Sequence, residues 1–218
     1  MKQLYIIGNW KSNKNTVEAK QWLYEFATLK NNKQNIISIV CPPLQLLSYV
    51  HAYIEANDLP LKIGAQNISP YGDGAFTGEV NARQIKEFAS YVIIGHSERR
   101  QHFSESDQML DLKVKQALQV GLEVIFCVQN ESTPIPENVQ LVAFEPVSAI
   151  GSGNPDSPKD VEAIASKILN RNKGIVIYGG SVTAENVHSF TSLENIHGVL
   201  AGGESLDPDT FSELITYA

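Results

Sequence analysis

Residues 157–181 read SPKDVEAIASKILNRNKGIVIYGGS, and this stretch holds one full structural unit. Ser157 stands where a helix cap belongs, and Pro158 where its fixed φ suits the first helical turn. Asp160 follows where a carboxylate meets the positive end of the helix dipole. Val161, Ile164, Ala165 and Ile168 then recur at helical spacing, which predicts a helix burying one apolar stripe. After Lys173 the period changes. Gly174–Tyr178 is a nearly unbroken apolar run closed by Gly179-Gly180-Ser181, the pattern of a strand covered on both faces. A helix feeding such a strand, ended by a glycine turn, is the repeating piece of a parallel α/β fold.

The same piece recurs along the chain. Apolar runs stand at Leu4–Ile7, Ile36–Val40, Leu61–Ala65, Tyr91–Ile94, Glu123–Val128, Val139–Phe144, Gly174–Tyr178 and Gly198–Ala201. Asn15 with Glu18 resembles a capping box ahead of the stripe Val17, Trp22, Leu23 and Phe26. Ser104 with Asp107 reads as the start of another helix, with Leu110, Val114 and Ala117 inward and Gly121 as its stop. Weaker helical signals follow Pro43, Asn81, Thr183 and Asp207. Eight alternations predict a (β/α)8 barrel, built as a single domain over residues 1–218. A dinucleotide fold would want GxGxxG after the first strand, and that position reads Gly8-Asn9-Trp10-Lys11.

One interval breaks the rhythm. Gln129–Asn138 contains Pro134 and Pro136, which leaves no room for a regular helix. The fifth helix is therefore predicted missing or reduced to a loop, with that loop or a neighbouring subunit covering the bared flank. A length of 218 residues is short against the about 250 typical of such barrels, and the shortfall is expected mainly in this fifth unit.

Composition narrows the function. The net charge is −7, from 17 basic and 24 acidic side chains, which argues against a nucleic-acid partner. No apolar stretch approaches the ~20 residues of a membrane span, and the N-terminus lacks the apolar run of a signal peptide. Cys41 and Cys127 are too few for a disulfide framework and lack metal-ligand spacing. The expectation is a cytoplasmic protein with no membrane partner, no metal and no cofactor.

In a barrel the chemistry sits at the C-terminal strand ends. Those ends carry Asn9 and Lys11, Gln66 and Asn67, His96 to Arg100, Glu145, Tyr178 to Ser181, and Gly202-Gly203. Glu145 and His96 facing one cavity would form a proton-transfer pair. Gly151-Ser152-Gly153, Gly179-Gly180-Ser181 and Gly202-Gly203 follow strands six, seven and eight. Glycine lets backbone N–H groups approach an anion, and with Lys11 nearby these three loops point to a phosphate site. A Schiff-base aldolase would want a lysine where the sixth strand offers Glu145, and a non-catalytic relative would be expected to lose His96 or Glu145.

The motifs Gly8-Asn9-Trp10-Lys11, Ala65-Gln66-Asn67, Gly74-Ala75-Phe76-Thr77-Gly78-Glu79 and Ile94-Gly95-His96-Ser97-Glu98-Arg99-Arg100 appear in order. Glu145-Pro146-Val147, Ala149-Ile150-Gly151-Ser152-Gly153, Tyr178-Gly179-Gly180-Ser181-Val182 and Gly202-Gly203 follow. Together they resemble the triosephosphate isomerase family over almost the whole chain. The resemblance implies interconversion of dihydroxyacetone phosphate and glyceraldehyde 3-phosphate, a small-molecule substrate pair. It implies Glu145 as the base, neutral His96 as the electrophile, and Asn9 with Lys11 holding the substrate and the enediolate charge. Glu98 would orient Lys11 and Ser97 would support the site, while Gly151, Ser181, Gly202 and Gly203 would take the phosphate. Residues 146–156 would form a closing lid, with Tyr178 and Ser181 holding it shut. Ser148 stands where the family usually has Trp, and Pro155 lies in an unusual far hinge. By the same resemblance the Tyr71–Glu79 loop inserts into a partner, with Thr77 near the partner's active site, giving a homodimer or a tetramer.

Overall fold

All eight apolar runs form strands, and every neighbouring pair is parallel. They are β1 (Leu4–Asn9), β2 (Ile36–Cys41), β3 (Lys62–Ala65), β4 (Tyr91–Ile94), β5 (Glu123–Val128), β6 (Leu141–Phe144), β7 (Ile175–Tyr178) and β8 (Ile196–Ala201). The computed structural model describes residues 2–29, 33–146 and 153–218. Strands pair in sequence order, and β8 pairs back on β1 to close a barrel. Side chains alternate between two cores. On β5, Val124, Phe126 and Val128 join a cluster shared with the surrounding helices, whereas Ile125 and Cys127 join a cluster contributed by strands alone. Both strand faces are apolar for this reason, and the sequence shows runs instead of alternation.

Around the barrel lie α1 (Thr16–Thr28), α2 (Leu47–Asn57), α3 (Ala82–Lys86), α4 (Ser97–Phe103), α5 (Asp107–Gln119), α6 (Pro158–Arg171), α7 (Val187–Thr191) and α8 (Pro208–Tyr217). The Asn15 side chain accepts from the N–H groups of Val17 and Glu18, and the Glu18 carboxylate accepts from Asn15 N–H. Ser157 caps α6 through the Asp160 N–H. The start of α5 differs from the sequence reading: Ser106 is its cap, accepting from Met109 N–H, while Ser104 ends α4 in a left-handed conformation. The Ser-Glu-Ser spacing offered two hydroxyls, and the one adjacent to Asp107 reaches the helix.

Among the described residues no helix lies between β5 and β6. Residues 129–140 instead form an extended loop that lies over the flank. Thr133 Oγ1 accepts from the N–H groups of Gln129 and Asn130, and Ile135 packs against the outer core. The loop is tied to α6: Lys167 pairs with Glu131 at 3.0 Å, Arg171 donates to the Glu131 carbonyl, and Asn172 at the α6 cap donates to the Val139 carbonyl at 3.1 Å. Two of the other helices are short, α3 and α7 having five residues each. Between β7 and β8 the register slips by one residue, a bulge that includes Gly198 at φ +138°. A side chain there would strike the Tyr5 backbone oxygen at 1.9 Å, so only glycine fits.

Candidate active site

Four strand ends and two glycine loops line one cavity of about 240 Å³ at the C-terminal mouth of the barrel. Asn9 ends β1 at 6% exposure. Its side-chain oxygen accepts from Lys11 N–H at 3.0 Å, and Gln66, just past β3, donates to the Lys11 carbonyl at 2.9 Å. Lys11 thereby sits at φ +52°, a conformation that costs a non-glycine residue about 1–3 kcal/mol and persists only where neighbours enforce it. Its ammonium donates to Glu98 Oε1 at 2.5 Å. Burial pushes the Glu98 carboxyl up, but that hydrogen bond and the nearby His96, Lys11 and His102 outweigh it, and the net direction is down.

His96 follows Gly95 at the end of β4 and caps α4. Its Nδ1 accepts the Glu98 backbone N–H at 3.3 Å. An imidazole nitrogen that accepts an N–H carries no proton, so the bond assigns the neutral tautomer with hydrogen on Nε2. That Nε2 lies 3.3 Å from Glu145 Oε1. Glu145 follows β6, is 2% exposed, and takes a long bond from Ser97 N–H at 3.4 Å on its other oxygen. Burial holds the Glu145 carboxyl above the ordinary carboxylate range, against the opposing pull of His96, Ser97 N–H, Cys127 and Lys11. The Cys127 thiol, fully buried below it, is pushed well up by burial and by that carboxylate.

The glycine loops complete the cavity. Gly179, Gly180 and Ser181 follow β7, and Gly202 and Gly203 follow β8, where Gly203–Ser205 form a single 3₁₀ turn. That turn is anchored from outside: Trp22 on α1 donates to the Ser205 carbonyl at 3.1 Å, and Lys14 donates to that of Leu206 at 2.6 Å. On the far side, Ser181 Oγ accepts from Gly153 N–H at 3.1 Å and Tyr178 Oη accepts from Asp156 N–H at 3.0 Å. Burial drives the Tyr178 hydroxyl up to about 12, so it stays a neutral acceptor.

Comparison with known proteins decides what this arrangement belongs to. Residues 4–218 match the family described as triosephosphate isomerase. A triosephosphate isomerase of Fusobacterium nucleatum is 34% identical, covering 99% of this chain and 98% of that protein. The chain belongs to the triosephosphate isomerase family. Its relative from Prochlorococcus marinus is 35% identical over the full length of both, and that of Dictyoglomus turgidum 34% over 99% of each. The alignment with the F. nucleatum protein spans 249 positions against the 218 residues here, in keeping with a shortened barrel.

Of the residues singled out from the sequence, Asn9, Lys11, His96, Glu145, Ser181, Gly202 and Gly203 line the one cavity. Glu98 and Ser97 touch its walls, and Tyr178 reaches the far hinge. Gly151, and Ser148 with the near hinge, lie outside the described residues. Thr77 is not brought to this cavity. It sits with Phe76, Tyr71 and Arg99 at a separate groove, where Tyr71 and Phe76 stack with ring centres 4.4 Å apart and Phe76 is 41% exposed. Sequence reasoning passed over three features. Gln66 was noted as a polar strand end and within the motif Ala65-Gln66-Asn67, with no role given, yet it fixes the Lys11 loop. Glu105 and Lys113 form a buried pair at 2.5 Å beside Arg99 and Asn67, signalled in the sequence only by an ionisable residue within an apolar stripe. Glu204 lines the cavity too, one residue beyond the Gly202-Gly203 pair.

Proposed function

We propose that this member of the family is an active triosephosphate isomerase, interconverting dihydroxyacetone phosphate and D-glyceraldehyde 3-phosphate. The observation that carries this is the pairing of a buried carboxylate and a neutral imidazole, Glu145 and His96, 3.3 Å apart in a cavity that also holds Lys11. The reaction moves one proton between adjacent carbons through an enediolate. Ionised Glu145 takes the proton from the carbon next to the carbonyl and returns it to the neighbouring carbon. Its raised affinity for protons makes it a stronger base than a solvated carboxylate. In this reading His96 Nε2–H and the Lys11 ammonium stabilise the oxygens on which charge develops. Asn9 holds Lys11 and contributes to substrate binding.

The phosphate goes to the other end of the cavity, which Ser181, Gly202 and Gly203 line; the family resemblance assigns Gly151 to the same role. Asn9, Lys11, His96, Glu145, Ser181, Gly202 and Gly203 are thus the working residues, with Glu98, Ser97 and Tyr178 in support. The exposed Tyr71–Phe76 stack favours a homodimer formed through the Tyr71–Glu79 loop, which would carry Thr77 to the partner's site. Among the described residues no helix is long and apolar enough to cross a membrane. Membership of a glycolytic enzyme family supports a cytoplasmic location.

Isomerisation in deuterium oxide tests the chemistry. A carboxylate that holds the transferred proton exchanges it with solvent, so part of the product carries carbon-bound deuterium. Product free of solvent deuterium at every conversion would point to hydride transfer instead.

A further inference from the structure

We infer that Glu204 is a specificity-determining residue of this site, its carboxylate opposing doubly charged anions at the phosphate end. The inference rests on the isomerase reading for the identity of the natural ligand, though not for its physics. Glu204 belongs to the cavity wall together with Gly202, Gly203, Ser181 and Thr183. Its backbone is held in place on both sides: Ser205 Oγ donates to the Gly202 carbonyl at 2.6 Å, and Thr210 Oγ1 donates to the Glu204 carbonyl at 2.6 Å. The residue cannot leave the turn without breaking these bonds.

The charges lining the cavity do not balance for an anionic ligand. Among the described residues that line it, Lys11 is the one lysine or arginine and Glu145 and Glu204 are the acids, with His96 neutral, and the Lys11 ammonium is itself paired with Glu98. Glu145 is needed as base at the reacting end. Glu204 has no such use at the glycine end. Lys11 reaches toward that end, since a Cβ on Gly202 would lie 3.8 Å from its Nζ. The acids acting on Glu204 are Glu185, Glu213 and Asp207, while the Lys14 ammonium approaches the same turn at the Leu206 carbonyl, 2.6 Å away. Glu185 lies ahead of α7, where it accepts from the Thr183 hydroxyl at 2.6 Å; Asp207 caps α8, and Glu213 lies on α8. Burial, then Glu185, Glu213 and Asp207, push the Glu204 carboxyl above the ordinary range.

The consequence is a site that resists a full dianion while Glu204 is ionised and accepts it more readily once Glu204 is protonated. Because the opposed charge is present in substrate and transition state alike, the effect falls on binding more than on the chemical step. Glu204 therefore weakens the hold on triose phosphate and on competing inorganic dianions, which favours release.

Sulfate is a suitable probe because it stays a dianion throughout the working pH range. Its binding is measured by calorimetry and as inhibition of isomerase turnover, for the parent, Glu204→Gln and Glu204→Asp, from pH 5 to pH 8.5. At the alkaline end Glu204→Gln is expected to bind sulfate about three- to tenfold more tightly than the parent, the factor one partly solvated charge contributes at several ångströms. The gap closes as pH falls, Glu204→Asp stays with the parent, and KM for triose phosphate drops in Glu204→Gln without a rise in kcat. Glu145 titrates in all three proteins and cancels in the comparison. Equal sulfate affinity of parent and Glu204→Gln at pH 8.5 would overturn the inference, as would a gap that does not change with pH or an equal gain in Glu204→Asp. Glu204→Ala replaces the glutamine variant if that one fails to fold. A parent that binds sulfate in this manner yet does not isomerise triose phosphates would refute the isomerase reading and leave the inference standing.

Discussion

Replacing Gly179 with alanine perturbs the base without touching it chemically. Gly179 follows β7 and donates its N–H to the Phe144 carbonyl at 2.8 Å, which seats it directly against the end of β6. A Cβ at this position would lie 2.7 Å from Glu145 Cγ, 3.4 Å from the Phe144 carbonyl oxygen and 3.5 Å from Glu145 Oε1. Carbon atoms in contact sit about 3.5–4.0 Å apart, so the Glu145 side chain has to retreat by about 1 Å. That displacement lengthens its approach to His96 Nε2, now 3.3 Å, and moves the carboxylate relative to the substrate carbon. A misplacement of about 1 Å costs on the order of 10²-fold in rate. The Gly179 backbone is outside the left-handed region, so alanine brings overpacking and no backbone strain, a cost of about 1–3 kcal/mol in stability. The variant should melt lower, by about 2–4 °C per kcal/mol for a chain of this size. Steady-state kinetics in the coupled isomerase assay, with thermal unfolding alongside, reads both effects. A folded Gly179→Ala protein with kcat within twofold of the parent would refute the placement of Glu145 as base.

Three further outcomes follow from the same structure. Glu145 binds its proton more tightly folded than unfolded, so its burial lowers stability as pH rises from the ordinary carboxylate range to its raised value and leaves it lower above that. Glu145→Gln should therefore melt higher than the parent at neutral pH, lose that pH dependence and lose turnover; parent kcat/KM should fall as acidification protonates the base, and a parent as stable as the variant at every pH would contradict this. Deleting the Pro134–Pro136 segment, or replacing Arg171 with alanine, should lower the melting temperature by uncovering the flank between β5 and β6 while kcat changes little; unchanged melting of both would show that the loop covers nothing of consequence. Phe76→Asp should convert the protein to monomers in sedimentation experiments and reduce kcat, and a parent that sediments as a monomer would dispose of the dimer.

The barrel was legible because both strand faces are apolar, so even four-residue strands such as Tyr91–Ile94 stood out against polar connections. Helix caps were legible where one residue could serve, as at Asn15 and Ser157. They failed at Ser104 and Ser106, where two hydroxyls flank one glutamate and only packing decides between them. The lost fifth helix showed through Pro134 and Pro136. The shortness of α3 and α7 did not, because neither has an internal proline to mark where it stops. At the site, Lys11, His96 and Glu145 were found from their places at strand ends. Gln66 and Glu204 act through the Lys11 backbone and through charge across a cavity, relations between loops distant in sequence that no local pattern records.

Turnover of glyceraldehyde 3-phosphate by the parent beside Glu145→Asp and His96→Gln, all three shown to be folded, tests the assignment of base and electrophile most directly. The pairing of Glu145 with His96 predicts rapid turnover in the parent and losses of on the order of 10²-fold or more in each variant. Parent turnover no higher than that of both variants would contradict it.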